Sequence, residues 1–148
     1  MITVIDTNIL VRRSNPSDPD FNAALGAVTT LHSRGDDLRS LPQNLYEFWV
    51  TATRPAANNG LGLTIATCST ELAKLEGTFP PLVDSSDLLD RWKRLVVVYR
   101  CSGKTAHDAR IVAAMELLGI TRVLTFNGGH FARYPDLTII DPYAVSSP

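Results

Sequence analysis

Short apolar runs alternate with amphipathic helical segments along this chain, and the alternation restricts the folds open to it. Residues 2–6 form a short apolar run that predicts a buried strand, and 38–41, 122–126 and 137–140 are the other strand candidates. Segments with helical spacing of apolar residues separate them. Strands and helices alternating at this pitch favour a parallel sheet covered on both faces. We therefore predict an α/β fold with a mainly parallel central sheet.

The helical segments are predicted from cap residues, apolar spacing and the breakers Gly and Pro. At 148 residues the chain has the length of one domain, and we predict a single domain over 1–148. Residues 55–62 form a loop by composition. We predict five helices with the following starts: Asp18-Pro19, Pro42, Thr64, Ser86 and Thr105.

Composition narrows the function classes. The 14 Lys and Arg residues nearly balance 15 Asp and Glu residues. The pI near 6.3 excludes a uniformly basic nucleic-acid coat but allows a local basic rim. Cys68 and Cys101 lack a metal-binding spacing and fit a reduced cytoplasmic protein. No signal peptide is recognised, and the longest apolar run, 95–99, is too short for a membrane span. We expect a cytoplasmic protein with no membrane partner.

Four polar residues are expected near one edge of the predicted sheet. Asp6 directly follows the first strand, and Asn127 follows the strand VLTF. Glu47 is the only charged residue between Pro42 and the end of its helix, and Asp108 lies in the first turn of the last helix. Ligands of open parallel sheets bind beyond the carboxyl ends of the strands, so these four are candidate site residues.

Each candidate also has an ordinary structural interpretation. Asp108 heads a stripe with Ile111, Val112 and Met115, which directs it toward the protein, but its spacing from Thr105 also fits a capping box.

The other three candidates have similar alternatives. Glu47 fits a single solvated residue on a buried helix, and Asp6 fits a turn or helix cap. Asn127, followed by two glycines, fits a turn.

Taken together, the three acids point to a metal ion. Like charges a few ångströms apart repel, and one acid must take up a proton unless a cation lies between them. All candidate ligand atoms are oxygens, which favours Mg²⁺ or Mn²⁺ over zinc. The reaction that matches such a site is metal-assisted hydrolysis of a phosphodiester bond.

The stretches that carry these residues form a recognisable combination. They are VIDTNIL at 4–10, the Pro-started helix with its isolated acid at 47, AHDARIVAA at 106–114 and LTFNGGHF at 124–131. Their order and spacing resemble the PIN domain, and more narrowly the VapC-type toxins of bacterial toxin–antitoxin pairs. The resemblance spans nearly the whole chain.

This resemblance implies a three-layer α/β/α sandwich and a ribonuclease that depends on Mg²⁺ or Mn²⁺. It implies that Asp6, Glu47 and Asp108 hold the metal ion, and that Asn127 completes the catalytic set at a more variable position. The supporting residues of the motifs are matched by Thr7, Asn8 and Thr125. The implied partners are an RNA substrate, a cognate antitoxin that blocks the site, and a second copy in a homodimer.

Two positions depart from the family pattern. Asn127 replaces an acid that is common there, which removes one negative charge and predicts weaker binding of a second metal ion. His130 stands where many members have Asp, and we interpret it as a surface residue beside the mouth of the site. His107, which precedes Asp108, is interpreted as packing or hydrogen-bonded support.

An RNA substrate requires cations near the acids. The candidate phosphate contacts are Arg12, Arg13, Lys104 and Arg110, with Arg54 and Arg133 as further members of the same rim. For any single one of them, an ordinary solvated surface position is the alternative. The 21–31 and 64–75 helices are amphipathic and are candidates for partner contacts, although such faces usually pack in the core.

Two other functions fit parts of the sequence. An aspartyl-phosphate phosphatase also places an Asp after its first strand, but a second acid is expected two residues later, where this chain has Asn8. A catalytically inactive PIN-like binding module is the other alternative, and the intact acids at 6, 47 and 108 argue against it.

Overall fold

Four parallel strands form the centre of the computed structural model, which describes residues 1–146. The strands are β1 (Ile2–Ile5), β2 (Asp37–Arg39), β3 (Arg122–Leu124) and β4 (Thr138–Ile140). They lie in the order β2-β1-β3-β4, and each neighbouring pair is parallel. The predicted α/β fold with a parallel sheet is confirmed. The carboxyl ends of all four strands therefore lie at one edge of the sheet.

The two central strands are largely buried on both faces, as their mainly apolar sequence predicts. Val4 lies opposite Val123 in the register, and Ile5 lies opposite Leu124. The pairing continues past the strand end, because the Asp6 amide donates to the Leu124 carbonyl at 3.0 Å. The backbone position of Asp6 is thus fixed by the sheet.

Helices cover both faces of this sheet. A 3₁₀ turn, Ala56–Asn58, follows the third of them. No helix within residues 1–146 combines the length and apolar character needed to cross a membrane. The helices are α1 (Thr7–Arg13), α2 (Phe21–Ser33), α3 (Pro42–Thr53), α4 (Ile65–Thr78), α5 (Leu88–Val98), α6 (Lys104–Leu117), α7 (Gly128–Phe131) and α8 (Pro142–Ser146).

The alternation of side chains along the strands divides the core into two layers. Ile5 and Leu124 pack with the buried residues of α1 to α4 on one face. Val4 and Val123 pack with those of α5, α6 and α7 on the other. This arrangement is the expected three-layer α/β/α sandwich, and it fixes α3 and α6 on opposite sides of the central strands.

Several helix boundaries differ from the predictions. α1 was not predicted, and it begins directly after β1. α2 begins at Phe21, because the Asp18 carboxylate accepts from the Asp20 amide in a turn instead of capping a helix at Pro19. The predicted cap at Ser86 is wrong, since α5 begins at Leu88 without a side-chain cap.

Because β3 is largely buried on both faces of the sheet, shortening one of its buried side chains should strongly destabilise the fold. Leu124→Ala removes a fully buried side chain and should lower the free energy of unfolding by about 2–5 kcal/mol. Leu89→Ala on α5, where the side chain is 63% exposed, is the matched control and should change it by less than about 0.5 kcal/mol. Urea unfolding measures both, and equal effects would contradict the two-layer core.

Candidate functional site

A cleft of about 580 Å³ opens at the carboxyl edge of the sheet. It brings together the four predicted site residues, although they come from distant parts of the chain. The cleft is lined by Asp6, Thr7, Asn8, Val11, Arg12, Asp18, Glu47, Thr51, Arg54, Lys104, His107, Asp108, Asn127 and His130.

Asp6 is buried at the junction of β1 and α1, where it is the N-cap of the helix. Its Oδ1 accepts from the Thr7 amide at 2.7 Å. Its Oδ2 accepts from the Thr125 hydroxyl at 2.7 Å and from the Asn8 side-chain amide at 3.0 Å. The cap interpretation of Asp6 is therefore confirmed, and the same carboxylate lies in the cleft with the other candidate residues.

Asn8 and Thr125 connect the segments that follow β1 and β3 by hydrogen bonds around this carboxylate. The Asn8 Nδ2 also donates to the Thr125 hydroxyl at 3.1 Å, and the Asn8 Oδ1 accepts from the Phe126 amide. The Thr125 hydroxyl in turn accepts from the Asn127 amide at 2.9 Å. These contacts are of the kind expected for residues that support and orient an acid.

Glu47 is half-buried on α3, and both of its carboxylate oxygens accept hydrogen bonds. The Thr7 hydroxyl donates to Oε2 at 2.7 Å, and the Gln43 amide donates to Oε1 at 2.8 Å. The Asn44 amide lies 3.3 Å from the Thr7 hydroxyl, and its Oδ1 accepts from the Leu41 amide at the helix start. The interpretation of Glu47 as a lone solvated residue is therefore wrong.

Gln43 and Asn44 were missed by sequence reasoning. Both are buried polar residues one turn before Glu47 on α3. The available signal was their spacing, since residues three and four positions before an acid share its helix face.

Asp108 is half-buried on α6 and lies 3.5 Å from His130, measured from Oδ2 to Nδ1. Its capping-box interpretation is wrong. The helix begins one residue earlier than predicted, after Gly103, which has a φ of +57°. Thr105 instead bonds to the backbone of Ser102, both accepting from its amide and donating to its carbonyl.

Burial and mutual repulsion raise the pKa of two of the acids. Burial raises the pKa of Asp6 to about 6, against the hydrogen bonds from Thr125 and Thr7, and the charges of Glu47 and Asp108 raise it further. Burial also raises the pKa of Asp108, which His130 partly offsets and the charge of Glu47 increases. The acids are close enough to affect one another electrostatically.

The donor chemistry of this cleft fits a hard divalent cation, because its acids offer only oxygens and their charges repel. The hydrogen bonds to Asp6 and Glu47 come from neutral amides and hydroxyls, which leave their negative charge uncompensated. Among residues 1–146, however, no group of three or more His, Cys, Asp or Glu side chains is arranged to hold a metal ion. The carboxylates would have to draw closer to share one ion.

The Arg and Lys residues predicted to contact RNA phosphates differ in whether they line the cleft and in whether their charge is already paired. Arg54 and Lys104 line the cleft, and within the described residues neither side chain makes a hydrogen bond or an ion pair. Arg12 also lines it, but its guanidinium pairs with Asp20 at 2.7 Å and lies over the Phe126 ring.

The other predicted cations do not line the cleft. Arg13 lies over the Phe79 ring, and burial lowers the pKa of its guanidinium. Arg110 pairs with Asp84 at 3.0 Å, and Arg133 donates to the Tyr99 carbonyl. The set predicted as phosphate contacts is therefore reduced to Arg54, Lys104 and the already paired Arg12.

Solved structures with the same fold include chains of toxin–antitoxin proteins. A chain of VapBC2 from Rickettsia felis, in a complex bound to a promoter DNA fragment, has a TM-score of 0.70 at 16% identity, covering 95% of this chain and 98% of that chain. VapBC-1 from nontypeable Haemophilus influenzae has a TM-score of 0.70 at 17% identity, covering 96% and 98%. VapC20 from Mycobacterium tuberculosis, a toxin that cleaves the sarcin–ricin loop, has a TM-score of 0.64 at 19% identity, covering 90% and 95%.

These likenesses define the class of fold, which is the PIN-like sandwich expected from the sequence motifs. They extend over nearly the full length of each protein compared. No protein-family model and no curated protein sequence matches this chain. The likeness therefore concerns the architecture alone.

The raised pKa of Asp6 predicts how stability depends on pH without metal. The folded state holds the Asp6 proton more tightly than the unfolded state does, so this group stabilises the fold below about pH 4. That contribution, on the order of 3 kcal/mol, is lost as the pH rises through about 6. Urea unfolding in EDTA between pH 4 and 7.5 should show the decline in the wild type and a shallower one in Asp6→Asn. An equal decline of the free energy of unfolding with pH in both proteins would contradict the assignment of this pH dependence to Asp6.

Proposed function

We propose that this protein is a ribonuclease that uses Mg²⁺ or Mn²⁺ to hydrolyse RNA phosphodiester bonds, and that it is the toxin of a VapBC-type pair. The observation that carries the proposal is the gathering of Asp6, Glu47 and Asp108 in one cleft. Two of these acids are fixed by uncharged donors. Fixed and uncompensated negative charge is what a divalent cation requires.

The metal ligands of the proposed site are Asp6, Glu47 and Asp108, and the bound ion supplies a Lewis acid that activates water and polarises the phosphoryl group. Thr7 orients two of these acids, because its amide donates to Asp6 and its hydroxyl donates to Glu47. Asn127 lies exposed at the mouth and offers a neutral oxygen there. Arg54 and Lys104, which line the same cleft, bind the phosphates of the RNA strand.

The proposed partner is a cognate antitoxin. Support comes from the fold, which occurs in the VapBC complexes of Rickettsia felis and Haemophilus influenzae. It also comes from exposed apolar side chains close to the cleft: Tyr46 and Val50 on α3 are 67% and 56% exposed and lie in a shallow groove with Glu47. Apolar side chains left in water beside an active site are typical of an interaction surface. The homodimer and the cytoplasmic location remain predictions.

The phosphatase alternative is disfavoured by the residue two positions after Asp6. That mechanism expects a second acid there, whereas this chain has Asn8, whose side-chain amide donates to the Asp6 Oδ2. An assay of RNA cleavage by the wild type with Mg²⁺ or Mn²⁺ distinguishes the nuclease from a catalytically inactive binding module.

Removing either of two acids should abolish cleavage. Protein freed of any partner should cut RNA with Mg²⁺ or Mn²⁺, and EDTA should stop it. Asp6→Asn and Asp108→Asn should each lower the rate on the order of 100-fold or more, because each removes a metal ligand. Asp90→Asn, at an exposed acid on α5, is the control and should cut at the wild-type rate. Absence of cleavage by the wild type with either metal would favour the inactive module.

The two unpaired cations of the cleft should account for the salt dependence of RNA binding. In EDTA, where no cleavage occurs, Arg54→Ala and Lys104→Ala should each weaken binding of single-stranded RNA. Each should also reduce the slope of log K against log salt by about 0.7. Arg34→Ala removes an exposed charge that follows α2 and should leave the slope unchanged. Equal slopes for the wild type and all three variants would contradict the proposal that Arg54 and Lys104 contact RNA phosphates.

A further inference from the structure

Gln43 is a buried side chain whose amide makes three of its four possible hydrogen bonds, all of them within the protein. It is 6% exposed. Its Nε2 donates to the Glu47 Oε1 at 2.8 Å and to the His107 carbonyl at 2.9 Å, while its Oε1 accepts from Arg110 at 3.0 Å. The amide can take only this orientation, because a carboxylate and a carbonyl only accept and a guanidinium only donates.

Arg110, the far partner of Gln43, is itself held in place. Its second terminal nitrogen lies 3.0 Å from the Asp84 carboxylate. Asp84 belongs to the segment after α4, which is tied to Ser40 at the end of β2 by two hydrogen bonds, from the Ser40 hydroxyl to the Phe79 carbonyl and from the Leu82 amide to the Ser40 carbonyl. A continuous series of contacts therefore runs from the sheet to Glu47.

The Gln43 amide lies between Arg110 and Glu47 in this series, so the arginine does not neutralise the carboxylate directly. A guanidinium in direct contact with Glu47 would neutralise the carboxylate and compete with a bound cation. The Gln43 amide separates them, so Glu47 receives a directed hydrogen bond without receiving a positive charge. With Thr7 on its other oxygen, the carboxylate is held from both sides.

We propose that Gln43 is a positioning residue for Glu47, that the Asp84–Arg110 pair anchors it, and that its neutral amide keeps the arginine apart from the acidic site. This inference rests on the proposed metal-dependent function. The series assigns Arg110 to the support of the site instead of to RNA. It also explains why a polar side chain occupies a buried position on α3, where an apolar residue would be expected.

The Mn²⁺ affinity of variants distinguishes a positioning role of Gln43 and Arg110 from a purely electrostatic effect of the Arg110 charge. Removing a positive charge near a cation site strengthens metal binding if only charge matters. Positioning predicts the opposite, so Arg110→Met should weaken Mn²⁺ binding several-fold, and Gln43→Leu should weaken it about 10- to 100-fold. Mn²⁺ titration followed by electron paramagnetic resonance measures both. Tighter or unchanged binding in both variants would overturn the proposal.

Arg91→Met is the matched control. Arg91 on α5 pairs with Glu116 on α6 at 2.9 Å, and its side chain is 37% exposed against 34% for Arg110. Each variant thus loses one ion pair of similar exposure that involves α6, and only Arg110→Met changes the series of contacts that leads to Glu47. Arg91→Met should bind Mn²⁺ within about twofold of the wild type, and a loss equal to that of Arg110→Met would overturn the proposal.

A second readout needs neither metal nor RNA. In the metal-free protein, the NMR signals of the Gln43 side-chain amide should shift in Arg110→Met and stay in place in Arg91→Met. Signals that stay in place in both would overturn the inference whatever the activity. If the wild type binds no Mn²⁺ although these signals shift as expected, the proposed function fails and the series of contacts stands. If the wild type binds Mn²⁺ and cuts RNA while Gln43→Leu binds equally well, the positioning role alone fails.

Discussion

Crowding of like-charged carboxylates in one cleft is the constraint around which this structure is organised. Asp6 and Glu47 are held there by hydroxyl and amide donors from Thr7, Asn8, Gln43 and Thr125, all of them uncharged. Neutral donors satisfy the buried oxygens without cancelling their charge. The consequence is repulsion among the acids, which costs stability in the free protein and which the cation of our proposal would relieve.

The parallel sheet and much of the site were predictable because both depend on local patterns. Apolar runs that end in a polar residue gave β1 and β3, and the carboxyl ends of parallel strands must meet at one edge. Two local features misled the prediction. α1 is only seven residues long, too short to show a helical period after the strand. α6 begins after Gly103, because the backbone there has a positive φ that sequence alone does not reveal, and this moves Asp108 beyond the reach of a cap.

The support of Glu47 and the fate of the arginines could not be predicted, because they depend on contacts between distant segments. Gln43 looks like an ordinary helical residue until α6 brings His107 and Arg110 against it. Arg12 and Arg13 are adjacent in sequence, yet one pairs with an acid before α2 and the other lies over an aromatic ring after α4. A flexible side chain several bonds long takes whichever partner the tertiary structure offers.

The bond between Asp6 and Thr125 joins residues 119 positions apart. During translation at about 5–20 residues per second, the first strand therefore waits roughly 6–24 s before the threonine that secures its acid has been synthesised. The central pairing of β1 with β3 is delayed for the same reason, and contacts so far apart in sequence slow folding. A nascent chain that stops before β3 cannot contain the assembled acidic cleft. The topology thus delays completion of the site until nearly the whole chain has been made.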